Sequence, residues 1–155
     1  ANYNCPGQLV IAGEVDAVTK ASELALEKGA RRAIPLNTSG PFHTELLAPA
    51  SKELKEKFTT VTFNEMQIPV VFNSSAKELE PGTSIAKMLE KQVMSSVYFE
   101  DSIRYMISKG VDTIIEIGPG KVLSGFIRKI DKSIKTYQVE DQASLEKTLM
   151  GLKGE

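Results

Sequence analysis

One histidine, His43, is the residue of this chain best suited to move protons near neutral pH. It follows Ser39-Gly40-Pro41-Phe42, which is turn chemistry, and precedes a stretch whose apolar spacing reads as a helix to about Phe58. Loops at the ends of rigid elements are where catalytic bases are presented. Two readings stand for His43: a general acid/base, or a surface imidazole at a helix start. A base of this kind needs a nucleophile to activate. The GxSxG elbow, which exposes a serine on a strand–helix turn, is absent. Ser39 in Thr38-Ser39-Gly40 and Ser124 in Leu123-Ser124-Gly125 both lack the flanking glycines. Cys5 has no basic neighbour in sequence to favour its thiolate. The chain therefore offers a base without a partner.

Other polar groups have structural and functional readings side by side. Gly118-Pro119-Gly120-Lys121 joins a strand pattern to a helix pattern. Free N–H groups there, with the lysine, suit a phosphate. The pattern is neither a Walker A loop nor GxGxxG, and small residues packing a strand tightly on a helix is the stronger expectation. Glu116 lies mid-strand and needs a partner if buried, for which a structural ion pair is the expectation. Asn2, Asn4 and Gln8 surround the Pro6-Gly7 turn, as substrate-binding amides or as turn-stabilising ones. Gln92 falls near the end of a helix, where carbonyls lack intrahelical donors.

The elements that must position these residues follow an α/β pattern. Strands are expected around Tyr3, at Gln8–Ala12 and at Ala33–Leu36, with a helix over 16–28 capped by Asp16 and stopped by Gly29. Residues 1–36 thus read β-β-α-β, most of a ferredoxin-like unit. Pro49 belongs in the first turn of the helix that follows His43, or bends it. Pro69–Asn73 reads as an apolar strand, 83–94 as a helix capped by Thr83, and Ser96 as the cap of a helix ended by Gly110. Thr113–Ile117 is the near-continuous apolar kind of strand found in parallel sheets. A helix at Lys121–Ile130, a strand at Ile134–Val139 and a helix at Ser144–Leu152 complete the pattern. Strands separated by helices imply a parallel sheet with right-handed crossovers.

Composition narrows the function classes. The 155 residues are 41% hydrophobic and 25% charged, the balance of an ordinary globular domain and not of a disordered chain. Nineteen Lys and Arg against twenty Asp and Glu give a net charge of −1, so no basic excess points to nucleic acid or an anionic membrane. With no Trp, a base-stacking surface has little support, and no apolar run approaches the length of a membrane span. One cysteine and one histidine exclude both an intrachain disulfide and a Cys/His zinc site. A cytoplasmic setting without a metal or cofactor is expected. The opening Ala1-Asn2-Tyr3-Asn4 already reads as a strand, which suggests a cut inside a larger protein.

Five segments, taken in order, carry a resemblance: ANYNCPGQLVIAGEVDAV, GARRAIPLNTSGPFHTELLAPA, PVVFN, EKQVMSSVYFEDSIRYMISKGV and EIGPGKVLSGFIRKI. Together they resemble the C-terminal half of the malonyl-CoA:acyl carrier protein transacylases, a half also found in the acyltransferase domains of fatty acid and polyketide synthases. The resemblance covers nearly the whole chain and fits the separate-enzyme version best. It implies residues 1–36 as part of a ferredoxin-like small subdomain and 37–155 as the C-terminal part of a larger α/β-hydrolase-like subdomain. It implies a serine–histidine acyltransferase of fatty acid biosynthesis, in which His43 deprotonates a serine and protonates the departing coenzyme A thiol. Gln92 matches a glutamine whose main-chain carbonyl accepts a hydrogen bond from that histidine. Asn2 and Asn4 match asparagines near the active-site cleft. Phe42 occupies a position where a bulky ring crowds an α-methyl and favours malonyl over methylmalonyl. Ser95-Ser96 stands where an Asn-Pro often follows the glutamine.

The same resemblance implies malonyl-CoA and acyl carrier protein as partners, the latter acidic, with Arg31, Arg32, Lys121, Arg128 and Lys129 as candidate docking residues beside their reading as a solvated mixed-charge surface. The family's GHSxG serine, its oxyanion-hole glutamine and its carboxylate-binding arginine lie upstream of the segments present here. The chain alone is therefore expected to be inactive and to need the N-terminal half that carries the serine. Two alternatives stay open: an acyltransferase domain of a polyketide synthase, and a non-catalytic module binding coenzyme A or phosphate at Gly118–Lys121.

Overall fold

The Pro6-Gly7 pair turns the chain on itself, with Gly7 in the left-handed region at φ 76°, and joins β1 (Asn2–Cys5) to β2 (Gln8–Val10) as an antiparallel hairpin. The structure, a computed structural model, describes residues 1–154. After the hairpin come α1 (Val15–Glu27), a short 3-10 turn (Glu45–Leu47), α2 (Ala48–Phe58) and α3 (Ile85–Gln92). Then follow β3 (Val97–Tyr98), α4 (Phe99–Ser108), β4 (Thr113–Ile117), α5 (Val122–Ile130), β5 (Lys135–Val139) and α6 (Gln142–Lys153).

Two small sheets organise these elements. One has the order β2-β1-β3, with β3 parallel to β1. The other pairs β4 and β5 in parallel, from Thr113 opposite Lys135 to Ile117 opposite Val139, with α5 as the crossover. The core forms where the two meet. Cys5 of β1, Ile103 of α4, Ile127 and Ile130 of α5 and Ile134 before β5 are buried together, and Phe99 and Phe126 meet edge to face at 6.0 Å across α4 and α5. Residues 1–10 are thus fastened to late elements of the chain: β1 packs on α4 and α5 as well as pairing with β3. α6 covers β5, its start closed by a capping box in which Asp141 accepts from the Ser144 N–H at 2.8 Å.

Several expected elements differ, for identifiable reasons. Ala33–Leu36 forms no strand. Its backbone has no neighbour to pair with, and Ile34 and Leu36 stay 61% and 59% exposed. The β-β-α part of the expected unit is present, and its last strand is not. Pro69–Asn73 likewise yields only an isolated bridge from Phe72 to Lys77, because the chain turns back at Asn73–Ala76, with Ala76 at φ 55°. Ser84, not Thr83, caps α3, accepting from the Lys87 N–H at 3.2 Å. Ser96 caps no helix. The two residues after it pair with β1, so α4 begins only at Phe99, and the Ser96 hydroxyl instead accepts from the amino group of Ala1 at 3.3 Å. Asp16 lies within the first turn of α1, while Glu14 occupies the cap position without a side-chain bond. Gly29 and Gly110 end α1 and α4 as expected, at φ 96° and 92°.

Much apolar surface remains open. The solvent-accessible area is 11353 Å², against about 7,700 Å² for a compact monomer of this mass. α1 buries none of its residues, and Val15, Ile68, Ile117 and Val122 are all more than 60% exposed. Among the described residues, no helix is long and apolar enough to cross a membrane.

Candidate active site

His43 sits in the turn Pro41–Thr44 with a left-handed backbone, φ 61°. Histidine reaches this region more readily than most residues with a Cβ, yet its occupation is uncommon and costs backbone energy, of the kind found at functional sites. The turn is closed by the Thr44 hydroxyl, which donates to the Pro41 carbonyl at 2.7 Å. The next carbonyl contact starts the 3-10 turn, Leu47 N–H to Thr44 O at 3.1 Å. α2 follows directly, with Pro49 in its first turn, where its missing N–H costs nothing.

The imidazole faces a cavity of about 280 Å³ lined by His43, Leu54, Phe58, Leu89, Gln92 and Val93. Leu54 and Phe58 share a face of α2. Leu89 and Gln92 lie three residues apart on α3, one helical turn. Gln92 is the last residue of α3, so its carbonyl is free of an intrahelical donor. It accepts from the Ser95 N–H at 3.3 Å. The Nδ1 of His43 is buried and has no hydrogen-bond partner. A buried ring nitrogen without a partner is a group waiting for one.

The structure brings His43 and Gln92 to one cavity. It does not bring Asn2, Asn4 or Phe42 into its lining. Asn2 and Asn4 stand on β1, both half-buried, with Asn2 opposite Val97. Phe42 is 52% exposed, its ring folded back to within 3.8 Å of where a Cβ on Gly40 would sit. Sequence reasoning overlooked Ser51. It is buried on α2, and its hydroxyl donates to the Glu90 carbonyl of α3 at 2.9 Å. Only a polar residue between the apolar positions of a helix marked it. Beside it Lys55 and Glu90 stand 4.0 Å apart.

The Gly118–Lys121 loop is organised by carboxylates, which corrects two expectations. Glu116 accepts from the Leu123 N–H at 3.0 Å, the Ser124 N–H at 2.7 Å and the Ser124 hydroxyl at 2.6 Å. It therefore closes the N-terminus of α5 from inside the sheet, and among the described residues it has no ion-pair partner. Burial pushes its carboxyl up, but the bonds from Ser124 and Leu123 outweigh this and hold it below the ordinary value of 4.5. The Gly120 N–H donates to Glu140 at 2.9 Å. Three N–H donors around this helix start, of Gly120, Leu123 and Ser124, are thus engaged by two carboxylates, which would also repel a phosphate. Tight packing, the stronger expectation, is not what the loop's glycines serve: a Cβ added at Gly118 or Gly120 would meet nothing within 4 Å, and both are there for the turn, at φ 137° and 86°. Ser124, buried and donating to Glu116, is no nucleophile. Arg31, Arg32, Lys121, Arg128 and Lys129 are all exposed. No group of His, Cys, Asp and Glu among the described residues could hold a metal ion.

No protein-family model matches the chain. Individual proteins do. Malonyl CoA-acyl carrier protein transacylase of Bacillus subtilis is 48% identical over 155 residues, which is 100% of this chain and 49% of that protein. The Escherichia coli K12 protein of the same name is 36% identical over 148 residues, 96% of this chain and 48% of that one. The crystal structure of the transacylase from Clostridium perfringens superposes with a TM-score of 0.95 at 45% identity, over 99% of this chain and 48% of that one. The Streptococcus pneumoniae structure gives 0.92 at 51%, over 97% and 49%. The chain spans about half the length of the relatives it matches, and along its whole length it corresponds in sequence and backbone to the C-terminal half of the malonyl CoA-acyl carrier protein transacylases.

Proposed function

We propose that this chain is the histidine-bearing half of a malonyl-CoA:acyl carrier protein S-malonyltransferase of fatty acid biosynthesis. The observation that carries the reading is the shared cavity of His43 and Gln92, with Nδ1 of the histidine buried and unpartnered. His43 is the base and acid of a ping-pong acyl transfer. An upstream serine hydroxyl gives its proton to the imidazole and attacks the thioester carbon of malonyl-CoA. The C–S bond breaks, and the same proton passes to the coenzyme A sulfur. The thiol of the carrier protein's phosphopantetheine then attacks the malonyl-serine ester, with His43 taking the thiol proton and returning it to the serine. The Gln92 carbonyl accepts from the Nδ1–H of His43 when the site is assembled, the role a carboxylate has in Ser-His-Asp triads. In the structure that carbonyl accepts from the Ser95 N–H at 3.3 Å, which leaves its second lone pair for Nδ1; because Nδ1 has no partner as the structure stands, the ring and the carbonyl must draw together on assembly.

Phe42 disfavours an α-methyl on the substrate, and Asn2 and Asn4 bind substrate in the assembled enzyme, although none of the three lines the cavity of His43 and Gln92 in this chain. Residues 1–36 form part of a ferredoxin-like small subdomain, 37–155 part of an α/β-hydrolase-like large one, and the protein works in the cytoplasm. The acyl acceptor is an acyl carrier protein. A structural neighbour at 35% identity and TM-score 0.91 is described as a type II polyketide carrier protein in complex with its malonyl-transacylase. That neighbour also keeps polyketide assembly as the second reading. Intact-mass measurement with malonyl-CoA tests the proposal. The 155-residue chain should gain nothing, a polypeptide that also supplies the upstream serine should gain one malonyl group, and His43→Ala should slow that gain by about a thousandfold or more. Unchanged labelling in His43→Ala would overturn the reading.

A further inference from the structure

We propose that Thr44 is a positioning residue for His43, acting through the backbone of the turn and touching neither substrate nor reacting atoms. The inference rests on the reading of His43 as the base and extends it. Only two non-glycine residues among the described ones have a positive φ, His43 at 61° and Ala76 at 55°. A residue with a Cβ stays in this region only where its surroundings hold it there. At His43 the restraint is visible. The Thr44 hydroxyl reaches back across the histidine to the Pro41 carbonyl at 2.7 Å, a short bond that closes the four-residue turn. Pro41 contributes a ring-fixed φ on one side. On the other, the Thr44 backbone is extended at φ −132°, ψ 163°, and its carbonyl accepts from Leu47, so the turn is tied to α2. Without the hydroxyl bond, the peptide at His43 is free to relax to negative φ. That rotation carries the imidazole away from the cavity it shares with Gln92. The Thr44 hydroxyl therefore sets the direction of the ring.

The test compares Thr44→Val, which keeps the shape and removes the hydroxyl, with Thr44→Ser, which keeps the hydroxyl. Both are made in a polypeptide that supplies the upstream serine. Thr44→Val should lower kcat by about ten- to a hundredfold with the KM for malonyl-CoA unchanged, since misplacing a catalytic group by about 1 Å costs up to that much. Thr44→Ser should restore kcat. His43→Ala, run in parallel, separates two failures. If it retains full activity, the proposed function falls and this inference with it. If it is inactive while Thr44→Val keeps wild-type kcat, only the positioning role falls. A second measurement needs no activity. His43 is the chain's only histidine, so its imidazole Cε1–H gives a single NMR signal in the 155-residue chain. Thr44→Val should move that signal toward the position of a solvent-exposed imidazole, and Thr44→Ser should leave it in place. An unmoved signal in Thr44→Val would overturn the inference even if that variant proves too unstable for kinetics.

Discussion

Ser51, in the first turn of α2, donates its hydroxyl to the main-chain carbonyl of Glu90, two residues before the end of α3, at 2.9 Å. The bond spans 39 residues of sequence and joins the helix that follows His43 to the helix that ends in Gln92. It satisfies one of the late carbonyls of α3 that has no intrahelical donor. Ser51 is only 5% exposed, although it and Glu90 line an open cavity between the two helices. Ser51→Ala should lower stability by about 1–3 kcal/mol, the range for leaving a buried polar group unpaired. Thermal denaturation measures this. An unchanged melting temperature would show that this bond does not help to hold the two helices together.

The carboxylate of Glu116 makes the chain's stability depend on pH in a defined direction. Burial works against its charge, while the bonds from Ser124 and Leu123 favour it and leave its folded pKa below the ordinary 4.5. A depressed carboxyl binds fewer protons folded than unfolded. Its contribution is complete above the unfolded value and is lost as pH falls through the folded one. Denaturant titrations should show stability falling below about pH 4.5, and Glu116→Gln should flatten that part of the curve. At pH 7 the same variant should be less stable by about 1–3 kcal/mol, as expected for losing charge-assisted bonds at a helix start. Equal slopes in the two proteins would exclude Glu116 as the source.

Gly151 inverts the usual helix rule. An exposed glycine inside a helix gains about 1 kcal/mol when changed to alanine. Here the space is filled: a Cβ at Gly151 would lie 2.5 Å from the Tyr137 ring, whose hydroxyl donates to the Gly151 carbonyl at 2.9 Å. Gly151→Ala must displace the ring or lift α6 from β5. A loss of about 1–2 kcal/mol is expected, in the range of overpacked sites. Chemical denaturation would reveal a gain instead if Tyr137 can swing aside at no cost.

The open apolar surface should make the 155-residue chain associate with itself. β4 pairs on one side only, with β5, and Ile115 and Ile117 on it are 39% and 82% exposed. An open strand edge beside exposed apolar side chains is a template for another chain. Sedimentation velocity should show concentration-dependent association, reduced by Ile117→Lys. A monomer at every concentration would show that this surface is tolerated in water.

Local order was legible where the residues themselves set it. Gly29 and Gly110 stop their helices because only glycine enters the left-handed region freely, and Thr113–Ile117 pairs as expected because its apolar run suits a parallel strand. His43 stood out as the lone imidazole after a Gly-Pro turn. Ala33–Leu36 and Pro69–Asn73 have strand composition as well. Strand formation, however, needs a neighbouring backbone, and pattern alone cannot say whether one is present.

Tertiary structure decided the rest, because hydrogen-bond partners distant in sequence leave no periodic trace. Nothing near Ser51 announces that its hydroxyl meets Glu90. Nothing near Glu116 says that its carboxylate will close the N-terminus of α5, where an ion pair was expected. The two-residue strand Val97–Tyr98 exists only because β1, from the other end of the chain, lies beside it. Amino-acid types determined which groups could do chemistry and where helices must stop. The packing of α2 on α3 decided that His43 and Gln92 face one cavity, since that meeting depends on how two helices lie together and not on the spacing within either.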